Sequence, residues 1–288
     1  MSGSAASVSR CVDQGVARLY RFARALRNYG NPLSLAWQLG VLDSDPIEVR
    51  DRSTGLSFLC RSRAFQMFGE VFHLHLYEIP WVPIRPGDLV IDIGANHGFY
   101  SIYAAAQGAI VHAFEPQRDT LELLRENVRR NHLQDRIVIH PCAVGERNGT
   151  TQLAVSANLA GGMSSINPAF THSSGVEVID AYDVDTITLS SFLQQEQIET
   201  VRCLKLDCEG AELMILGSLL PEHWSRIESL AAELHPEAYP AHELFDLICA
   251  THQFQIGTID TRCHFGVGSD IFHCARTALI RDWLMDRQ

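Results

Sequence analysis

"DLVIDIGANHGFYSIYAAAQGAIVHAFEP", residues 88–116, passes from an apolar strand through two glycines into a small-residue helix, then through a second apolar strand to an acid. Outward from it the alternation continues: strand 89–93, helix 98–107, strand 109–114, helix 117–131, strand 136–141. That rhythm predicts a parallel sheet with helices on both faces. Such sheets take ligands beyond the carboxyl ends of their strands, where Gly94, Asn96 and Gly98 fall. A dinucleotide fold wants G-x-G-x-x-G, because its second glycine lets the backbone approach a pyrophosphate. Here the spacing is D-x-G-x-x-x-G, with Asn96 where that second glycine belongs. Asp92 would repel phosphates but suits an ammonium or a sulfonium. Glu115 ends the second strand 21 residues after Gly94, where an acid can accept both hydrogens of a ribose diol. Two cations and a diol together describe S-adenosylmethionine, and the cofactor expectation is that donor.

Bulk properties fit one large domain with an appendage. The chain has 288 residues, 46% apolar and 20% charged, with no apolar run long enough to span a bilayer. A net charge of -11 disfavours a nucleic-acid partner, whose binding relies on cationic side chains. Eight scattered cysteines form no C-x-x-C pair and suit reduced thiols, hence a cytoplasmic protein. Residues 16–30 carry Arg18, Arg21, Arg24 and Arg27 at helical spacing. This is read as a solvated basic stripe on a cap helix, with peripheral membrane contact as the alternative. Oligomeric state is not legible.

The prelude to the core is helical to about residue 45, then a hairpin over 46–60 turning at Ser53, Thr54 and Gly55, then a segment of helical spacing from Ala64. The domain expectation is an extension over 1–80 that does not fold independently and a core over 81–288, with a strand insertion at about 150–185. After the insertion, strands are expected at 201–207 and 229–235 and helices at "TLSSFLQQEQ", "AELMILGSLL" and "ELFDLICATH"; "FQIGTID" and "DIFHCART" read as closing strands. Thr188 or Ser190 is the expected cap of the first of those helices.

"LKLDCEGAELMIL" puts Asp207 at the end of the fourth core strand, followed by Glu209 and Glu212 at a helix entry, where acids are also ordinary capping residues. His235 and Glu233 end the next strand two residues apart, hence on one side of it. An acceptor hydroxyl needs somewhere to put its proton, so His235 or Asp207 is expected as the catalytic base. A divalent metal on Asp207, Glu233 and His235 is the less favoured alternative. The loop "GGMSSI", with Ser164 and Ser165, is a candidate flap over donor or acceptor.

"VIDIGANHGFYS", "AFEP", "HPCAVGERNGT", "GGMSSI" and "LKLDCEGAE" together resemble the FkbM family of S-adenosylmethionine-dependent methyltransferases over about residues 46–236. The resemblance implies a class I methyltransferase (Rossmann-like) fold, a seven-stranded, mostly parallel sheet. It implies O-methylation of a hydroxyl on a sugar, polyketide or similar small-molecule or glycan acceptor. Asp92, Gly94, Asn96, Gly98, Glu115, Pro116 and Asp207 would line the donor pocket, with Cys142 and Ala143 near the adenine. The rival classes are a nicotinamide-dependent oxidoreductase and a noncatalytic nucleoside-binding protein.

Overall fold

In a computed structural model of the protein, the described residues are 46–61, 64–156, 163–175, 177–251, 254–260, 263–264, 267–268 and 271–285. The basic stripe at 16–30 lies outside them. The chain divides into two compact units between Ser62 and Arg63. In the first, β1 (Ile47–Arg50) and β2 (Ser57–Cys60) form the expected hairpin, antiparallel with Ile47 opposite Cys60. Asp51 fixes its turn, accepting from the backbone N–H and the hydroxyl of Thr54, both at 2.8 Å.

The second unit begins with α1 (Phe65–Phe72) and is built on β3 (Leu89–Ile93), α2 (Phe99–Ala106), β4 (Ile110–Phe114), α3 (Arg118–Arg130) and β5 (Ile137–His140). These five lie within the predicted spans. The first two strands are buried nearly end to end, as parallel strands covered on both faces must be. Ala104 and Ala105 bring α2 close against the sheet, while α3 buries Leu121, Leu124 and Val128 and turns its charges outward.

An insertion sheet follows: β6 (Ala143–Val144), β7 (Gly149–Ser156) and β8 (Val178–Ile187), ordered β6-β8-β7, with α4 (Pro168–Ser173) inside it. The core resumes with α5 (Leu189–Gln195), capped by Thr188, whose hydroxyl accepts from Ser191 N–H at 3.0 Å. Then come β9 (Cys203–Leu206), α6 (Glu212–Gly217), α7 (Pro221–Trp224), β10 (Ser229–Glu233), α8 (Ala241–Ala250), β11 (Phe254–Asp260), the short pair β12 (Cys263–His264) and β13 (Val267–Gly268), β14 (Ile271–Arg276) and α9 (Thr277–Met285).

The main sheet has seven strands in the order β11-β14-β10-β9-β3-β4-β5, parallel except for β14, which runs antiparallel to both neighbours. One reversed strand makes it mostly parallel, as expected. The order changes direction at β3: the chain moves one way to β4 and β5 and later returns to the other side as β9. Ligands bind at such a reversal. Among the described residues no helix is long and apolar enough to cross a membrane.

Candidate active site

At the end of β3 the chain turns sharply. Gly94 has φ +76°, and a Cβ there would stand 1.8 Å from the carbonyl oxygen of Asp207 at the end of β9. Only glycine lets the two strand ends touch. Asn96 follows with φ +51°, a left-handed conformation asparagine tolerates better than most residues. The bend aims the Asn96 N–H at Glu115 Oε2, 2.9 Å away, while Gln117 N–H donates to Oε1 at 2.8 Å. Glu115 is thereby fixed at the end of β4, with lone pairs left on both oxygens. Burial raises its pKa to about 7, against the opposing pull of the Gln117 and Asn96 N–H groups.

These residues wall a cleft of about 630 Å³, open mouth included, lined by Gly94, Asn96, Glu115, Pro116, Gln117, Cys142, Ala143, Ser164, Asp207, Cys208 and Glu209 with apolar side chains between them. Seven positions named from sequence for the donor pocket, Gly94, Asn96, Glu115, Pro116, Cys142, Ala143 and Asp207, meet on this one surface. Gly98 stands off the wall: at the start of α2, with φ +85°, a Cβ there would lie 2.5 Å from Leu124.

Asp92 requires a correction. Its carboxylate does not face the cleft; it is fully buried, accepting from Ser101 Oγ at 2.6 Å and paired with Lys205 Nζ at 3.2 Å. The cause is register, since Asp92 sits directly beside Lys205 of β9. Lys205 in turn donates to the Gly94 carbonyl at 2.8 Å and lies 3.4 Å from Asp207. Burial alone would lower the lysine's pKa, but Asp92 and then Asp207 hold it above the usual lysine range. Asp92 thus reaches the loop through a cation, and a lysine inside the apolar run "VRCLKLD" was the sequence signal for it.

Around Asp207 a second group gathers. Tyr77 O–H donates to its Oδ2 at 2.9 Å. β10 ends at Glu233, so His235 lies in the turn beyond it rather than on the strand, and strand alternation is not what places the two together. Glu212, expected as a capping acid, is wholly buried, accepting from Cys208 N–H at 3.0 Å and Tyr239 O–H at 3.0 Å, and its Oε1 stands 3.0 Å from His235 Nδ1. That last contact lacks hydrogen-bond alignment and is electrostatic. His235 Nε2 faces Glu209 Oε2 at 3.4 Å. Burial disfavours the imidazolium, but Glu212 outweighs it and holds His235 well above the usual histidine range. Burial likewise pushes Glu233 up, with Asp207's charge adding, whereas Lys205 and then His235 overcome burial at Asp207 and keep it ionised.

Of the loop read from sequence as a candidate flap, residues 163–166 are described. Ser164 lines the cleft, while Ser165 is buried and donates to the Glu209 carbonyl at 2.6 Å; Met163 N–H donates to Glu209 Oε1 at 2.8 Å. Elsewhere, His273 contacts the Leu76 carbonyl at 2.6 Å and His75 pairs with Glu78 at the surface.

Sheet order and the glycine turn at its reversal define a class I methyltransferase fold. The chain belongs to the FkbM methyltransferase family: the Methyltransferase FkbM domain matches residues 92–252. Among curated relatives, 31-O-demethyl-FK506 methyltransferase FkbM of Streptomyces tacrolimicus is 28% identical over 194 residues, 59% of this chain and 74% of that protein. Methyltransferase sdnD of Sordaria araneosa is 27% identical over 191 residues, covering 58% and 73%. Among solved structures, a putative methyltransferase from Streptococcus mutans in complex with SAH aligns at TM-score 0.42 and 10% identity, covering 72% of this chain and 96% of that one.

Proposed function

We propose that this methyltransferase takes its methyl group from S-adenosylmethionine and places it on a hydroxyl oxygen of a small-molecule or glycan acceptor. The observation that carries the donor reading is Glu115, a carboxylate fixed by two backbone N–H groups on the wall of the cleft. It accepts the ribose hydroxyls; Pro116 and Ala143 flank the base, and the amino-acid tail runs along the loop from Gly94, whose carbonyl Lys205 holds. Asp207, on the same wall, faces the transferred methyl. Binding contributes proximity and alignment for in-line attack by the acceptor oxygen on the sulfonium methyl, the S–CH3 bond breaking to release S-adenosylhomocysteine and the hydroxyl proton passing to the ionised Asp207, since His235 already holds its proton. Oxygen as the acceptor atom is supported by the name of the Streptomyces relative, which specifies a 31-O-demethyl substrate.

Isothermal titration with S-adenosylhomocysteine and with NAD tests the donor. Heat from the first and none from the second is expected; the reverse would assign the chain to nucleotide chemistry. Labelled donor with a library of hydroxylated and amine acceptors then reads the acceptor atom.

The Glu115 carboxyl adds a pH signature. A carboxylate accepts both ribose hydrogens only when ionised, and in the free protein it titrates at about 7. S-adenosylhomocysteine affinity is therefore expected to rise about tenfold from roughly pH 6 to 8, with a proton released near neutrality. Stability runs the other way. Folding raises this pKa above its unfolded value, so the stability contribution is full at low pH and lost, by about 3 kcal/mol, as pH climbs from roughly 4.5 to 7. Both slopes should flatten in Glu115→Gln; a variant that retains the affinity slope would exclude Glu115 as the diol's partner.

A further inference from the structure

We propose that Asp207, Glu233 and His235 form a divalent-cation site at the edge of the donor cleft. Each offers one donor atom, and the three atoms lie within 4.8 Å of one another, a spread that small side-chain rotations close onto bonds of about 2.1 Å.

Charge gives the first independent reason. Asp92, Asp207, Glu209, Glu212 and Glu233 converge here, and the cations paired with them are Lys205 and His235. Lys205 is shared by Asp92 and Asp207, and His235 lies between Glu212 and Glu209. Glu233 therefore faces Asp207 with no lysine or arginine paired to it among the described residues. Asp207, Glu209 and Glu233 are half-buried, and carboxylates crowded away from bulk water are costly unless a cation or a proton joins them; a divalent ion supplies two charges at one point.

The second reason is the support behind each ligand. Metal-binding imidazoles turn their other nitrogen to a carboxylate, which fixes the ring. Glu212 stands beside Nδ1 at 3.0 Å, facing the ring by charge rather than by an aligned hydrogen bond, and is itself held by Cys208 and Tyr239. At Asp207, Tyr77 takes Oδ2 and leaves Oδ1 for the ion. Two carboxylates and one imidazole suit Mn²⁺ or Mg²⁺ with water completing the shell.

Because Asp207 also lines the cleft, an acceptor hydroxyl could replace one water on the ion, and the ion would lower that hydroxyl's pKa. This role in methyl transfer rests on the donor reading above; the existence of the site does not.

The test uses the full-length protein stripped with chelator and titrated with Mn²⁺, free ion being read by electron paramagnetic resonance. One saturable Mn²⁺ per chain is expected, displaced by Mg²⁺. Asp207→Asn, Glu233→Gln and His235→Gln, each checked for folding by circular dichroism, should weaken Mn²⁺ binding tenfold or more. Glu233→Gln should leave S-adenosylhomocysteine affinity within about twofold, since Glu233 does not line the cleft. Any one folded variant suffices for the comparison. Absence of saturable uptake by the wild type, or equal uptake by a folded variant, would overturn the site. S-adenosylhomocysteine binding without Mn²⁺ binding would remove the metal and leave the donor reading intact; the opposite result would do the reverse.

Discussion

Lys205→Met is expected to cost about 3–5 kcal/mol of folding stability, which is the usual consequence of deleting one partner of a buried ion pair. The ammonium lies 3.2 Å from Asp92, 3.4 Å from Asp207 and 2.8 Å from the Gly94 carbonyl, and the residue is only 4% exposed. Methionine fills much of the volume but leaves the fully buried Asp92 carboxylate without its cation. Urea denaturation reads the change as a lower midpoint at unchanged slope. Adding Asp92→Asn should recover a large part of the loss, because the stranded charge, rather than the missing contacts, dominates it. A single variant within 1 kcal/mol of wild type would contradict the pairing.

Gly94→Ala should weaken S-adenosylhomocysteine binding by at least about tenfold and destabilise the fold by about 2–4 kcal/mol. Two effects combine: the +76° φ is strained for any side chain, and the new methyl would overlap the Asp207 carbonyl at 1.8 Å. The end of β9 must retreat, carrying Asp207 with it. Gly87→Ala separates the two, since Gly87 has φ +88° but nothing within 4 Å of its would-be Cβ. Its cost is expected near 1 kcal/mol, from backbone conformation alone. Equal costs at the two positions would mean that the strand ends do not meet as described.

The sheet from β3 to β5 could be read from the sequence because apolar periodicity is local information. Its elements fell within a residue or two of their expected bounds, and Glu115 followed from position at a strand end. What escaped depended on partners distant in sequence. Asp92 looked like a ligand-facing acid, and nothing near it in the chain announces that Lys205 will lie alongside. Glu212 looked like a capping acid because its first-turn position is identical in both roles; only the approach of the turn after β10 gives it His235. The short α4 and α7 offer too few residues for periodicity to register. The reversed β14 was read as a closing strand, but its place between β10 and β11 is a matter of topology that no local pattern encodes.

The Glu209–Gly210 bend bears on how this enzyme family can be remodelled. Both residues have positive φ, and the bend is braced from outside, by Met163 and Ser165 at Glu209 and by Asn167 Nδ2 at the Gly210 carbonyl, 2.6 Å away. Grafting a foreign insertion between β7 and β8 is consequently not a neutral loop exchange. A transplanted segment that lacks these donors would let the bend relax toward ordinary dihedrals, and chimeras built to change acceptor preference should keep Met163 through Asn167 from the recipient.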